Sequence, residues 1–178
     1  MRKKIKSVLL VDGYNIIFAW DDLRKISESS LEDARLKLAD MLCNYQGFKK
    51  TTEIILIFDG YKTPGNVGEI IHYHNIDIVY TKEAQTADTF IESLSYQMSQ
   101  DYHIAVATGD ALEQIVIFTG GATRMTAREL REAIDNANKE IQEVFALNAK
   151  RQKTRYTLLE SLPEETRKML SELRLKED

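Results

Sequence analysis

Hydrophobic positions along the chain follow two rhythms. Val8 to Val11 and Glu53 to Phe58 are short apolar runs rich in Val, Ile and Leu, and Ile76 to Tyr80 and His103 to Ala107 repeat the pattern more weakly. Runs of this length suit strands buried on both faces. Between them the period lengthens. Leu31 to Tyr45 places Leu31, Ala34, Leu38 and Leu42 on one helical face, and Ala87 to Met98 does the same with Phe90, Ile91, Leu94 and Met98. Ser30 and Thr86 stand where helix N-caps belong. Strands alternating with helices predict an α/β fold, a parallel sheet flanked by helices.

After the fourth strand the pattern predicts a short helix, Ala111 to Phe118, a turn at Gly120 and Gly121, and a brief edge strand near Ala122 to Met125. A long helix follows. Thr126 and Glu129 have capping-box spacing, and Leu130, Ile134, Ile141 and Phe145 continue the apolar stripe. Residues 150–157 are basic and polar and read as a linker, and Pro163 opens a last amphipathic helix with Met169, Leu170 and Leu173. The predicted organisation is one domain over residues 1–150, with a basic linker and C-terminal helix over 151–178.

Composition narrows the function. The 178 residues, 43% hydrophobic and 29% charged with 2 Pro, describe a folded chain rather than a disordered one. Apolar stretches such as Ile54–Phe58 and Ile115–Phe118 fall far short of the roughly 18 residues that span a bilayer, so no membrane span is expected. Val8–Val11 is too short for a signal peptide despite the basic Met1–Lys6, and the lone Cys43 permits neither an intramolecular disulfide nor a Cys-based zinc site. Cys43 reads as core filler, and the expected compartment is the cytoplasm. The net charge of −4 is unevenly spread: residues 7–123 hold 8 basic against 17 acidic side chains, and residues 124–155 hold 8 against 5. An acidic body beside a basic helix suits a cation site next to a polyanion site, although two solvated faces of opposite sign would look the same.

The acids stand where strands end. Asp12 closes the first strand, Asp59 the second and Asp110 the fourth, while Asp88 falls in the first turn of the helix opened by Thr86. In an open parallel sheet all four would share the carboxyl edge, where ligands bind. Taken singly, an Asp after a strand more often caps a turn, and Asp12-Gly13 and Asp59-Gly60 both look like turns. Gathered together, four carboxylates repel unless a hard cation neutralises them. Mg²⁺ or Mn²⁺ takes oxygen ligands and keeps waters, and activates water for attack on a phosphodiester. Asp12, Asp59, Asp88 and Asp110 are the candidate catalytic and metal-binding carboxylates. Asn15 could orient a metal-bound water or a phosphate, and Thr108 could bond a carboxylate or phosphate, with local capping the competing explanation; Glu113 could reach a metal through water, with a surface role competing.

Val11-Asp12-Gly13-Tyr14-Asn15, Phe58-Asp59-Gly60, Thr86-Ala87-Asp88 and Thr108-Gly109-Asp110, in that order, resemble the NYN-domain branch of PIN-like ribonucleases, and within it the YacP-like family. The resemblance covers roughly residues 5–150, including Tyr80-Thr81-Lys82-Glu83 and Ala127-Arg128-Glu129-Leu130. It implies a PIN-like, Rossmann-like sheet and cleavage of single-stranded RNA dependent on a divalent metal, with Asp12, Asp88 and Asp110 matching the family's acidic centre. In this branch, which includes ribosome-associated endoribonucleases, it also implies work on mRNA at the ribosome. Asp59 matches a position less uniform among PIN proteins at large.

Candidate RNA contacts follow from charge and aromaticity. Arg124, Arg128 and Arg131 make one stripe if the long helix already includes Arg124, and Arg forks with a helix N-terminus suit phosphate. The competing explanation is a solvated face paired with Glu132 and Asp135. Lys150, Arg151, Lys153 and Arg155 suit a larger polyanion such as rRNA. Tyr14 and Tyr61, each two residues after a strand-end Asp, are candidate stacking platforms, Lys62 to Gly65 forms a polar loop, and Trp20 falls in the loop after the first strand. His72 and His74 have no evident third ligand and read as a loop or strand edge. No phosphate loop, nucleophile elbow or dinucleotide fingerprint occurs. The competing function is an RNA- or ribosome-binding protein of the same fold that does not cut.

Overall fold

The computed structural model describes residues 6–60, 68–82, 84–109, 122–161 and 163–166. The expectations for the helix 111–118, the Gly120–Gly121 turn, the loop 62–65 and the last helix beyond residue 166 lie outside them. Two compact units are present, Met1–Asn138 and Lys139–Asp178.

The first unit is built on a six-stranded sheet in the order β3-β4-β2-β1-β5-β6. β1 (Lys6–Asp12) is central, with β2 (Thr52–Phe58) and β5 (Tyr102–Thr108) parallel on either side. β4 (Ile76–Tyr80) continues parallel beside β2, and β6 (Thr123–Thr126) beside β5, where the sequence predicts an edge strand. β3 (Glu69–Tyr73) is antiparallel to β4, and the His72–Tyr73–His74 segment lies at this hairpin. His72 bonds Asp77 at 2.8 Å, so cross-strand pairing accounts for it.

Alternation along β1 explains the two layers. Leu9 and Val11 face one core with Leu56 and Phe58; Val8 and Leu10 face the other with Ile57 and Val106. The first face is covered by α1 (Gly13–Ala19), α2 (Asp21–Ser29), α3 (Leu31–Lys49) and the start of α5 (Ala127–Ser161). The second is covered by α4 (Ala87–Met98) through Ala87 and Ile91. Ser30 and Thr86 cap α3 and α4 as expected, and Cys43 is half-buried against the core.

Three expectations are corrected. The segment after the first strand is not a loop: α1 and α2 occupy it, with Trp20 buried between them and donating from Nε1 to the Ala127 carbonyl at 2.9 Å. The stretch 150–157 is not a linker, because α5 runs unbroken to Ser161; a polar sequence without Gly or Pro satisfies its backbone as well in a helix as in water. The buried stripe of α5 covers Leu130, Ile134 and Ala137, whereas Phe145 is 71% exposed. Among the described residues no helix is long and apolar enough to cross a membrane.

Candidate active site

The order of the sheet sets the site. The chain leaves β1 towards β2 over one face and reaches β5 through α4 over the other, so the connections diverge beyond the β1 and β5 ends, where a crevice opens in such sheets. Asp12 and Thr108 end those two strands side by side, since Val11 pairs with Ala107. Asp12 is 4% exposed and Thr108 fully buried. The Asp12 carboxylate caps α1, accepting from the Asn15 backbone N at 3.0 Å and from Asn15 Nδ2 at 2.9 Å. Two donors from one residue hold the rotamer of a carboxylate whose burial calls for hydrogen-bond partners. Capping and positioning, competing explanations in the sequence, are here one arrangement.

Asp59 follows β2 directly. The backbone around it is held by a residue that sequence reasoning passed over: buried Thr81 accepts from the Gly60 N at 2.9 Å, and its own N donates to the Phe58 carbonyl at 3.0 Å. A Thr directly after the apolar run of β4 was the available signal. Asp88 is exposed in the first turn of α4, after its Thr86 cap. Asp12, Asp59 and Asp88 thus belong to the carboxyl edge. Asp110, Glu113 and Tyr61 lie outside the described residues, and among those described no three acids or histidines gather into a metal-holding group.

Tyr14 is corrected. It is 6% exposed, its ring 5.1 Å from that of Phe58 and 6.3 Å from that of Phe18, so it is core rather than a stacking platform. Burial pushes its hydroxyl above the ordinary value; Arg35 opposes the shift, while Tyr80 and Asp59 add to it. Arg35, on α3, is therefore an unforeseen cation near this edge.

The arginine stripe also divides. Arg124 is on strand β6 and not on the helix, paired in register with Val106. Arg131 grips Asp22 through Nη1 at 3.0 and 2.9 Å, approaches Asp135 at 3.4 Å, and lies 5.0 Å from the Trp20 ring, so it ties α5 to α2. Arg128 stays exposed beside Glu132 at 3.5 Å. The capping box forms as predicted, with Glu129 Oε2 accepting from Thr126 N at 2.7 Å and Glu129 N donating to Thr126 Oγ1 at 3.2 Å. It places a carboxylate at the helix end expected to receive phosphate.

A mostly parallel six-stranded sheet with acids at its carboxyl edge defines a PIN-like α/β protein. The sequence model of the YacP-like NYN domain matches residues 9–175, and the chain belongs to that family. It is similar to "Uncharacterized protein YacP" of Bacillus subtilis (strain 168), 36% identical over 136 residues, covering 76% of this chain and 79% of that one. Among solved structures it resembles that of a mutant of Rae1 (YacP) from Bacillus subtilis, with TM-score 0.72 and 30% identity over 94% of this chain and 99% of the other. A second Rae1 (YacP) crystal structure from the same organism gives 0.67 and 31%, covering 94% of each chain. The family carries a nuclease-like, RNA-related function.

Proposed function

We propose that the chain is a metal-dependent endoribonuclease that cleaves single-stranded RNA, with mRNA at the ribosome as its substrate. One observation carries the reading: Asp12, buried at the end of the central strand, is locked by Asn15 beside Thr108 at the point where the chain connections diverge. A buried carboxylate held in one orientation beyond the strand end is placed for a reaction as well as for capping α1.

The donor set fits a hard cation in kind, since Asp12, Asp59, Asp88 and Thr108 all offer oxygen. Asp12, Asp88 and Asp110 would hold Mg²⁺ or Mn²⁺, which supplies charge neutralisation and an activated water. Asn15 keeps Asp12 aimed, and Thr81 keeps the Asp59 turn in place. Arg128, in the first turn of α5, follows the carboxyl end of β6, because Thr126 pairs with Thr108; Arg124 stands two residues earlier on β6, and both would attract the RNA backbone. The ribosome as partner is supported by exposed Lys150 and Arg151 on α5, a basic pair that suits a large polyanion.

The test is incubation of the purified chain with single-stranded RNA and Mn²⁺ or Mg²⁺, and with translating ribosomes. Cleavage is expected with the wild type and lost, by at least about a hundredfold, in Asp12→Asn and Asp88→Asn. Binding without cleavage in both settings would establish the competing function, an RNA- or ribosome-binding protein.

A further inference from the structure

A cavity of about 130 Å³ opens beside α3, lined chiefly by Glu32, Arg35, Leu36, Phe58, Ile78 and Tyr80. It adjoins the acidic edge. Phe58 immediately precedes Asp59, and its ring meets Tyr14 at 5.1 Å and Tyr80 at 5.5 Å. Glu32 and the 45% exposed Leu36 reach solvent, while Phe58 is fully buried.

Arg35 is the unusual member. It occupies a position on α3 that the period from Leu31 to Leu38 and Leu42 would give to an apolar side chain. Its guanidinium carbon lies 5.8 Å from the centre of the Tyr80 ring, and its Nε is buried with no acceptor among the described residues. A buried donor without an acceptor costs stability, and at the cavity wall a ligand carbonyl or ring nitrogen would meet the remaining N–H groups of the guanidinium.

The dimensions and chemistry select a ligand. The cavity equals roughly four waters at about 30 Å³ each and approaches the ~150 Å³ that accepts a benzene ring, so one planar ring fits. Free phosphate would meet the Glu32 carboxylate, and an aliphatic chain would leave Arg35 and Glu32 unused. A nucleobase uses every wall: its face stacks on an aromatic ring, its carbonyl or ring nitrogen accepts from Arg35, and its N–H groups donate to Glu32. We infer that this cavity receives one unpaired base of the RNA, stacked on Tyr80 and contacted at its edge by Arg35 and Glu32. The inference rests on the ribonuclease reading and adds to it a base-binding subsite beside the acids.

The experiment uses the full chain carrying Asp12→Asn, so that RNA is bound but not cut, and a short labelled single-stranded RNA in which each nucleotide in turn is replaced by an abasic one. Affinity is expected to fall about tenfold at one position and little elsewhere. With Arg35→Ala or Glu32→Gln added, the unmodified RNA binds more weakly and the loss caused by the abasic replacement at that position shrinks. A flat abasic profile, or the same profile kept in both added variants, overturns the inference while leaving the ribonuclease reading standing. Failure of the folded chain to bind any of the RNAs, with ribosomes present or absent, overturns the ribonuclease reading and the inference with it. Should Arg35→Ala fail to fold by circular dichroism, Glu32→Gln, on the exposed side of α3, decides alone.

Discussion

A β-carbon at Gly13 would overlap the ring of Phe58, which is fully buried and would have to shift. The close approach lets α1 begin directly at Asp12, and Phe58 in turn precedes Asp59, so one missing side chain helps seat two of the acids. Gly13→Ala is expected to destabilise the chain by about 1–3 kcal/mol, the usual cost of overpacking, and to lower activity as the strand ends shift. Urea unfolding checks the first, and an unchanged midpoint would contradict it. In the sequence Asp12-Gly13 looks like a turn, because Gly is common in turns; the need for its lack of a Cβ arises from a ring 45 residues away. Asp12, Asn15 and Thr108 are recognisable from local spacing and strand ends. Tyr14 is buried for a reason its spacing does not contain: proximity to an Asp says nothing about which side of the backbone a ring lies on.

At the scale of elements, α5 shows how a local motif and a long-range contact cooperate. Thr126 and Glu129 close its first turn reciprocally, a device written wholly in residues three apart. The bonds from the Thr126 backbone and hydroxyl, with Arg124 and Arg128 adding, hold the Glu129 carboxyl below its usual value. A carboxyl whose pKa is lowered by folding stabilises the fold above its unfolded pKa, and that contribution disappears as pH falls through the folded pKa. Thr126→Ala is therefore expected to lower the thermal midpoint near neutral pH and to lower it progressively less under acid, read across a pH series. A penalty that does not change with pH would contradict the role given to Glu129. Arg131, five residues after the cap, could not be read this way. Spacing put it on a stripe with Arg128, but its partners Asp22 and Trp20 come from α2 and the end of α1, more than 100 residues earlier.

For the whole molecule, the charge pattern matters more than the net charge. An acidic body with its carboxylates at one sheet edge predicts that Mg²⁺ raises the melting temperature and that EDTA reverses the rise; a hundredfold excess over Kd corresponds to about 2.7 kcal/mol. The shift should vanish in Asp12→Asn, and an equal shift in that variant would contradict the proposal that Asp12 holds the metal. The alternation of strands and helices, both helix caps on α3 and α4, the edge strand β6 and the family were determined by the sequence alone, because apolar periodicity and short motifs are local and survive being read one residue at a time. Tertiary structure decided what depends on partners distant in the chain. It turned the loop after β1 into two helices packed on the sheet, because burial of Ile16, Ile17 and Leu23 outweighs their short and broken pattern. It carried α5 through a stretch that read as a linker, buried Tyr14, drew Arg131 into a structural pair, and set Arg35 beside Tyr80. Each of these outcomes depends on which surfaces meet, and contact between remote segments is the one quantity that a linear pattern does not contain.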